Sequence, residues 1–162
     1  MNRRQFQLSI GGLVLAATLP AWTRAAALDK LRAAWKALLA PARYRVLFEE
    51  DTEPPFSSPL NDEKHAGTFI CAACFQPLFD SSRKFDSGTG WPSFWDVRAG
   101  AVATKADHAL SMTRTEYHCA RCGGHQGHVF DDGPPPTGLR YCNNGLALEY
   151  VPAGRALPAL RT

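Results

Sequence analysis

The residues able to do chemistry are concentrated between Cys119 and Asn144, in CARCGGHQGHVFDDGPPPTGLRYCNN. The stretch opens on a Cys-x-x-Cys pair, passes His125 and His128, and reaches a solitary cysteine, Cys142, after a proline-glycine turn. A second pair, Cys71 and Cys74, lies upstream in FICAACFQPLF, so four of the 5 cysteines are paired and Cys142 is left over. Two such pairs supply the four soft ligands that Zn²⁺ prefers, which assigns Cys71, Cys74, Cys119 and Cys122 to one structural zinc. Because the pairs are far apart in the chain, the metal would tie two β hairpins together. The competing readings are two local disulfides or a thioredoxin-like redox centre. The latter needs a βαβ context and a single active pair, neither of which the sequence offers.

With Leu139–Asn144 read as a strand, Arg140, Cys142 and Asn144 fall on one face. A permanent cation beside a thiol favours the thiolate, which is the nucleophilic form. His125 and His128, with Gly127 letting the backbone bend between them, can exchange protons near neutral pH. Taken singly, these residues would read as an inert buried cysteine and two core histidines. Together they point to a reactive nucleophile.

The elements that must position these groups are short. From Gly67 onward, β-like runs alternate with Gly, Pro, Asp and Asn: Thr68–Cys71, Pro77–Phe79, Ala101–Thr104, Ser111–Cys119, Leu139–Cys142 and Ala147–Val151. This pattern predicts a mostly β fold, a single domain of antiparallel sheets, sandwich- or barrel-like, over residues 44–152. A frayed tail is expected over 153–162. Upstream, Leu28, Leu31, Trp35, Leu38 and Leu39 recur at helical spacing, which predicts a short N-terminal amphipathic helix over 28–43 with Pro41 as its stop. Tyr44–Phe48 is expected to be a first short strand.

Residues 1–27 read as an address. Arg3-Arg4 precedes a mild apolar run, Leu8–Leu19, too short for a permanent membrane span, and Ala25–Ala27 offers a small-residue cleavage pattern. The segment resembles a twin-arginine export signal, with an uncleaved anchor as the alternative, and its destination would be the periplasm. Arg3, Arg4 and Arg24 account for the formal net charge of +3 and leave the remainder neutral. A nucleic-acid partner therefore finds no support in charge. An oxidising destination would ordinarily turn paired cysteines into disulfides. A route that carries folded proteins would let the thiols leave already bound to metal.

Several runs together resemble the methionine sulfoxide reductase B family. They are Thr52-Glu53-Pro54-Pro55-Phe56, both Cys-x-x-Cys knuckles, Pro77-Leu78-Phe79, Lys84–Gly88 and Gly90-Trp91-Pro92-Ser93-Phe94. They continue in His125, Gly127–Pro134, Gly138–Cys142 and Asn144, so the likeness covers about Tyr44 to Pro152. The resemblance implies that Cys142 is the nucleophile that attacks a methionine sulfoxide and becomes a sulfenic acid. It implies that His125 and His128 position the sulfoxide oxygen and its proton, and that Arg140, Asp132 and Asn144 organise the nucleophile and its pocket. Trp91 and Phe94 would contact the substrate, Trp91 at its S-methyl group. Implied partners are oxidised proteins carrying the R epimer and a thioredoxin-like reductant.

The sequence departs from the family pattern twice. Asn143-Asn144-Gly145 replaces an apolar residue followed by Asn-Ser, which is expected to loosen the pocket wall around Gly145. Thr89 stands where many members have a resolving cysteine. Two other readings compete: a zinc-stabilised binding module without catalysis, and a family member that has lost activity and only binds oxidised proteins. The module leaves Cys142, Trp91 and the histidines without a task.

Overall fold

The computed structural model describes residues 31–109 and 112–161; the expected signal and the first residues of the expected helix lie outside them. A helix over 31–38 (α1) is followed closely by α2 (Pro41–Phe48). Two expectations are corrected here. Pro41 opens a helix instead of ending one, and Tyr44–Phe48 is helical instead of a strand. Proline's fixed φ suits the first helical position, where its missing N–H costs nothing. Tyr44, Leu47 and Phe48, three and four residues apart, then gather on one side. Tyr44 and Leu47 are buried there, and Trp35 of α1 stacks on Phe48 at 5.9 Å. Among the described residues, no helix is long and apolar enough to cross a membrane.

The strands are β1 (Gly67–Cys71), β2 (Pro77–Asp80), β3 (Lys84–Phe85), β4 (Ser93–Phe94), β5 (Val102–Asp107), β6 (Arg114–Cys119), β7 (His125–Phe130), β8 (Arg140–Asn143) and β9 (Leu148–Pro152). They form two antiparallel sheets, one in the order β2-β1-β9 and one in the order β3-β4-β8-β7-β6-β5. The fold is mostly β, as the turn spacing predicts. Each of the six runs read as strands holds one; β3, β4 and β7 come in addition.

Aromatic side chains fill the space between the sheets. Phe94 of β4 stacks on Phe79 of β2 at 4.1 Å and meets Phe69 of β1 edge-on at 5.0 Å. Tyr117 and Tyr141, on the same side of the larger sheet, pack edge-to-face at 5.3 Å. Phe94 is therefore a core residue with no exposed surface, which corrects the expectation that it touches substrate. Side chains alternate along a strand. With Phe94 turned inward, its neighbour Ser93 turns to the opposite face.

The tail is not frayed as expected. The Arg161 amide donates to the Cys74 carbonyl at 3.0 Å, and its guanidinium lies 4.0 Å from the centre of the Phe75 ring. A cation over an aromatic face, together with a backbone bond, returns the chain end to the first Cys-x-x-Cys turn.

Candidate active site and metal-ligating cluster

Cys71 closes β1 and Cys119 closes β6, with Cys74 and Cys122 in the turns that follow. The two turns share one geometry. Phe75 N–H donates to the Cys71 carbonyl and Gly123 N–H to the Cys119 carbonyl, both at 2.9 Å, and both donors have positive φ, 64° and 72°. All four sulfurs lie within 4.8 Å of one another. The short approaches run between the knuckles, Cys71 to Cys122 at 3.7 Å and Cys74 to Cys119 at 3.6 Å. A disulfide requires about 2.05 Å. Tetrahedral thiolates around zinc, each at about 2.3 Å, require sulfurs about 3.8 Å apart. The cluster therefore fits a metal ion such as zinc, and it clamps the β1–β2 hairpin of one sheet to the β6–β7 hairpin of the other.

The second constellation lies on the outer face of the larger sheet, in one row of paired residues. Lys105 of β5 faces Glu116 of β6, Glu116 faces His128 of β7, His128 faces Cys142 of β8, and Cys142 faces Ser93 of β4. Two histidines three apart in a regular strand would point to opposite faces. Here Tyr117 pairs with Gly127 and His118 with His125, so one step along β6 spans two along β7. Gln126 is the extra residue, and this bulge returns His125 to the face of His128. Their rings lie 5.6 Å apart. Gly127 has no substitute here: a Cβ would sit 1.9 Å from the Cys142 carbonyl oxygen, so its absence lets β7 approach the nucleophile's strand.

Cys142 lies in a cleft of about 130 Å³ that Trp91, Arg114, His128, Phe130 and Asn144 help to line. Arg140 shares its face, as expected, and its guanidinium and the Thr89 hydroxyl both draw the Cys142 pKa down. Asp132 fixes the guanidinium with two bonds of 2.8 Å, and Phe130 lies under it at 4.3 Å. As expected, the Arg140 cation works in favour of the thiolate. Burial pushes the thiol pKa up, and Arg140 and Thr89 offset only part of that push. Asn144 lies beyond the end of β8, and its side chain holds backbone: Oδ1 accepts from Glu53 N–H at 3.1 Å and Nδ2 donates to the Gln126 carbonyl at 3.2 Å.

His125 does not line the cleft. Nearly sealed at 3% exposure, it binds Glu116 through Nδ1 at 2.9 Å, while Nε2 has no partner among the described residues. Lys105 holds Glu116 from the other side at 2.8 Å. His128 binds Asp107 through Nε2 at 2.8 Å, and Arg114 holds Asp107 in turn. Burial lowers the pKa of both histidines, that of His125 to about 4.

A histidine held below its usual 6.5 is neutral in the fold but takes up a proton in the unfolded chain between about pH 4 and 6.5. The unfolded state then binds more protons, so this part of the stability rises with pH through the window and is lost as pH falls through it. For His125, unfolding at pH 5 should cost about 2 kcal/mol less than at pH 7. Urea titrations of wild type and His125→Asn at both pH values check this. The variant should lack that share of the slope, and parallel pH profiles would overturn the assignment.

Sequence reasoning assigned no role to Glu53, Glu116, Asp107 or Thr89. Glu53 belongs to a run with family character, which was the available signal. Its carboxylate is buried and accepts from Gly145 N–H at 2.6 Å and Leu146 N–H at 2.8 Å, while its carbonyl accepts from Trp91 Nε1 at 3.0 Å. The wall at Gly145 is therefore tight, contrary to expectation: a Cβ there would meet Ser58 Oγ at 1.9 Å. Asn143 is accommodated by the Tyr117 hydroxyl, which donates to its Oδ1 at 2.7 Å.

The SelR domain model matches residues 39–152. The chain belongs to the SelR-domain family. The relative "Peptide methionine sulfoxide reductase MsrB" of Agrobacterium fabrum is 50% identical over 125 residues, 76% of this chain and 93% of the relative. The protein of the same name from Thiobacillus denitrificans is 52% identical over 124 residues, 76% of this chain and 94% of its own. Among solved structures, the Mis18 "Yippee-like" domain matches 56% of this chain and 100% of its own at 20% identity and a TM-score of 0.43. The SelR-domain match takes in both constellations, the four-cysteine cluster and the Cys142 cleft.

Proposed function

We propose that the protein is a peptide methionine sulfoxide reductase that reduces the R epimer of methionine sulfoxide in oxidised proteins. The observation that carries this reading is the placement of Cys142 in a cleft directly across from His128, with Trp91 as a wall and Arg140 on the same face of the strand. The SelR-domain relatives, named as reductases of this kind, support it.

In this reading the Cys142 thiolate attacks the sulfoxide sulfur while the oxygen takes up a proton from the histidine side of the cleft. The substrate S–O bond breaks as the protonated oxygen passes to the Cys142 sulfur, and the bond between the two sulfurs breaks with it, so the thioether leaves and Cys142 is left as a sulfenic acid. The substrate sulfur gains the two electrons that Cys142 loses. Two thiols of an outside reductant, thioredoxin-like in chemistry, then return Cys142 to the thiol, forming a disulfide and releasing water. One zinc on Cys71, Cys74, Cys119 and Cys122 would hold the sheets together and take no part in these steps. Export by the twin-arginine route to the periplasm completes the reading; its support is the Arg3-Arg4 start and the apolar run after it.

Turnover of each epimer, presented within a peptide and with a small dithiol as reductant, tests the reading. The R epimer should be consumed and the S epimer left. Trp91→Ala should raise KM about tenfold with a smaller change in kcat, since it empties a wall of the cleft. Metal-loaded, folded protein that turns over neither epimer would overturn the proposal.

A further inference from the structure

Two acid–histidine pairs lie side by side on the larger sheet, and they hold their rings by opposite nitrogens. Glu116 Oε1 meets His125 Nδ1 at 2.9 Å, and Asp107 Oδ2 meets His128 Nε2 at 2.8 Å. Two further donors fix Asp107: Arg114 Nη2 reaches Oδ2 at 2.6 Å and the Ala109 amide reaches Oδ1 at 2.8 Å. Three donors on one carboxylate keep it ionised, and an ionised carboxylate can only accept. The single proton of a neutral His128 ring therefore sits on Nε2. By the same rule Glu116, which also pairs with Lys105, draws the His125 proton to Nδ1.

The remaining ring nitrogen of each is an acceptor, and the two acceptors differ in access. Nε2 of His125 is sealed and bonds to none of the described residues. His128 keeps 14% of its side chain exposed, lines the cleft and stands across the sheet from Cys142. We propose that Asp107 is a positioning residue for proton transfer: by keeping the His128 proton on Nε2, it leaves Nδ1 free to take the proton of Cys142 and hand it to the sulfoxide oxygen. The proposal rests on the reading of Cys142 as the nucleophile.

The protons balance within the site. The Cys142 S–H bond breaks as an N–H bond forms at Nδ1, which leaves a thiolate beside an imidazolium still bonded to Asp107. The new N–H bond then breaks as an O–H bond forms on the substrate, and His128 returns neutral in the same tautomer. The proton that the buried thiol must lose is thus the one the oxygen must gain. Other charged or titratable groups around His128 are Glu116 and Arg114 from β6, His125 on its own strand, and Cys142 and Arg140 from β8. Lys105 and Glu50 stand behind Glu116. Among the described residues, Asp107 alone of these bonds the His128 ring.

Nitrogen-15 NMR of histidine-labelled, metal-loaded protein at neutral pH reads which ring nitrogen carries the proton. A first-turnover assay without reductant, on a peptide carrying the R-sulfoxide, reads the reaction. Wild-type His128 should hold its proton on Nε2. Asp107→Ala should let the two tautomers mix and slow the first turnover about a hundredfold, while the concentration giving half the maximal rate changes little. Asp107→Glu should restore the single tautomer and most of the rate. If Asp107→Ala does not fold, Asp107→Leu, closer in size and equally without an acceptor, takes its place. A wild-type proton on Nδ1, or a full rate without the carboxylate, would overturn the proposal. So would a slow variant with an unchanged His128 spectrum, since Asp107 would then act through the fold alone. The spectrum requires no turnover: wild type that reduces neither epimer but holds the proton on Nε2 would remove the reductase reading and leave the Asp107–His128 pair standing.

Discussion

Cys122→Ser is expected to yield a chain that holds no metal and shows no cooperative unfolding. The four sulfurs are the crossing point between the two sheets, since Cys71 and Cys74 belong to one hairpin and Cys119 and Cys122 to the other. A structural zinc site contributes on the order of 10–16 kcal/mol of apparent binding energy, as much as the whole net stability of about 5–15 kcal/mol typical of a domain. Removing one ligand also leaves three buried thiols crowded without the ion that justifies their approach. Elemental analysis beside a circular-dichroism melt checks this. Folded, active protein without metal would refute the structural role.

Cys142→Ser is expected to abolish turnover while leaving metal content unchanged and the melting temperature within a few degrees. Serine is close in size, and Cys142 stands outside the cluster. Its hydroxyl is a far weaker nucleophile than a thiolate at neutral pH. The companion experiment supplies substrate to wild type without reductant. A sulfenic-acid trap should then mark Cys142 with the metal retained, because Thr89 offers no resolving thiol and the other four cysteines are committed to the cluster. A disulfide from Cys142 to any of them, with metal released, would refute this route.

The parts of the molecule legible in the sequence were those whose reasons are local. Cys-x-x-Cys spacing is a property of a few residues, and so is the turn-bounded rhythm that marked β1, β2, β5, β6, β8 and β9. Pro41 misled because proline ends one helix and begins another with the same ring. Tyr44–Phe48 carries β-prone residues that tertiary burial against Trp35 and the second knuckle recruits into a helix. β7 was hidden by Gly127 and two histidines, poor strand formers accepted there for close approach and chemistry. The bulge at Gln126 exists only in the pairing with β6, so no reading of β7 alone could find it. Nothing local singles out Glu116 and Asp107, and only cross-strand register places them behind His125 and His128. Phe94 failed for a related reason: its motif named the neighbourhood of the cleft, but alternation within a two-residue strand decided which side chain entered it.

The order of strands in the smaller sheet governs when this protein can finish folding. β1 sits between β2 and β9, and its register runs from Gly67 opposite Pro152 to Cys71 opposite Leu148. During synthesis β1 therefore waits as half of a two-stranded hairpin, which is marginal in water, until almost the whole domain has left the ribosome. For that interval Cys71 and Cys74 are held beside no stable partner, and Cys119 and Cys122 emerge into the same unfinished chain. Any oxidant that meets them first competes with the metal for the same sulfurs. For the four sulfurs to receive a metal ion, the thiols must stay reduced until β9 closes the sheet, so the redox poise of the place where this chain is completed bears on its fold as directly as its side chains do.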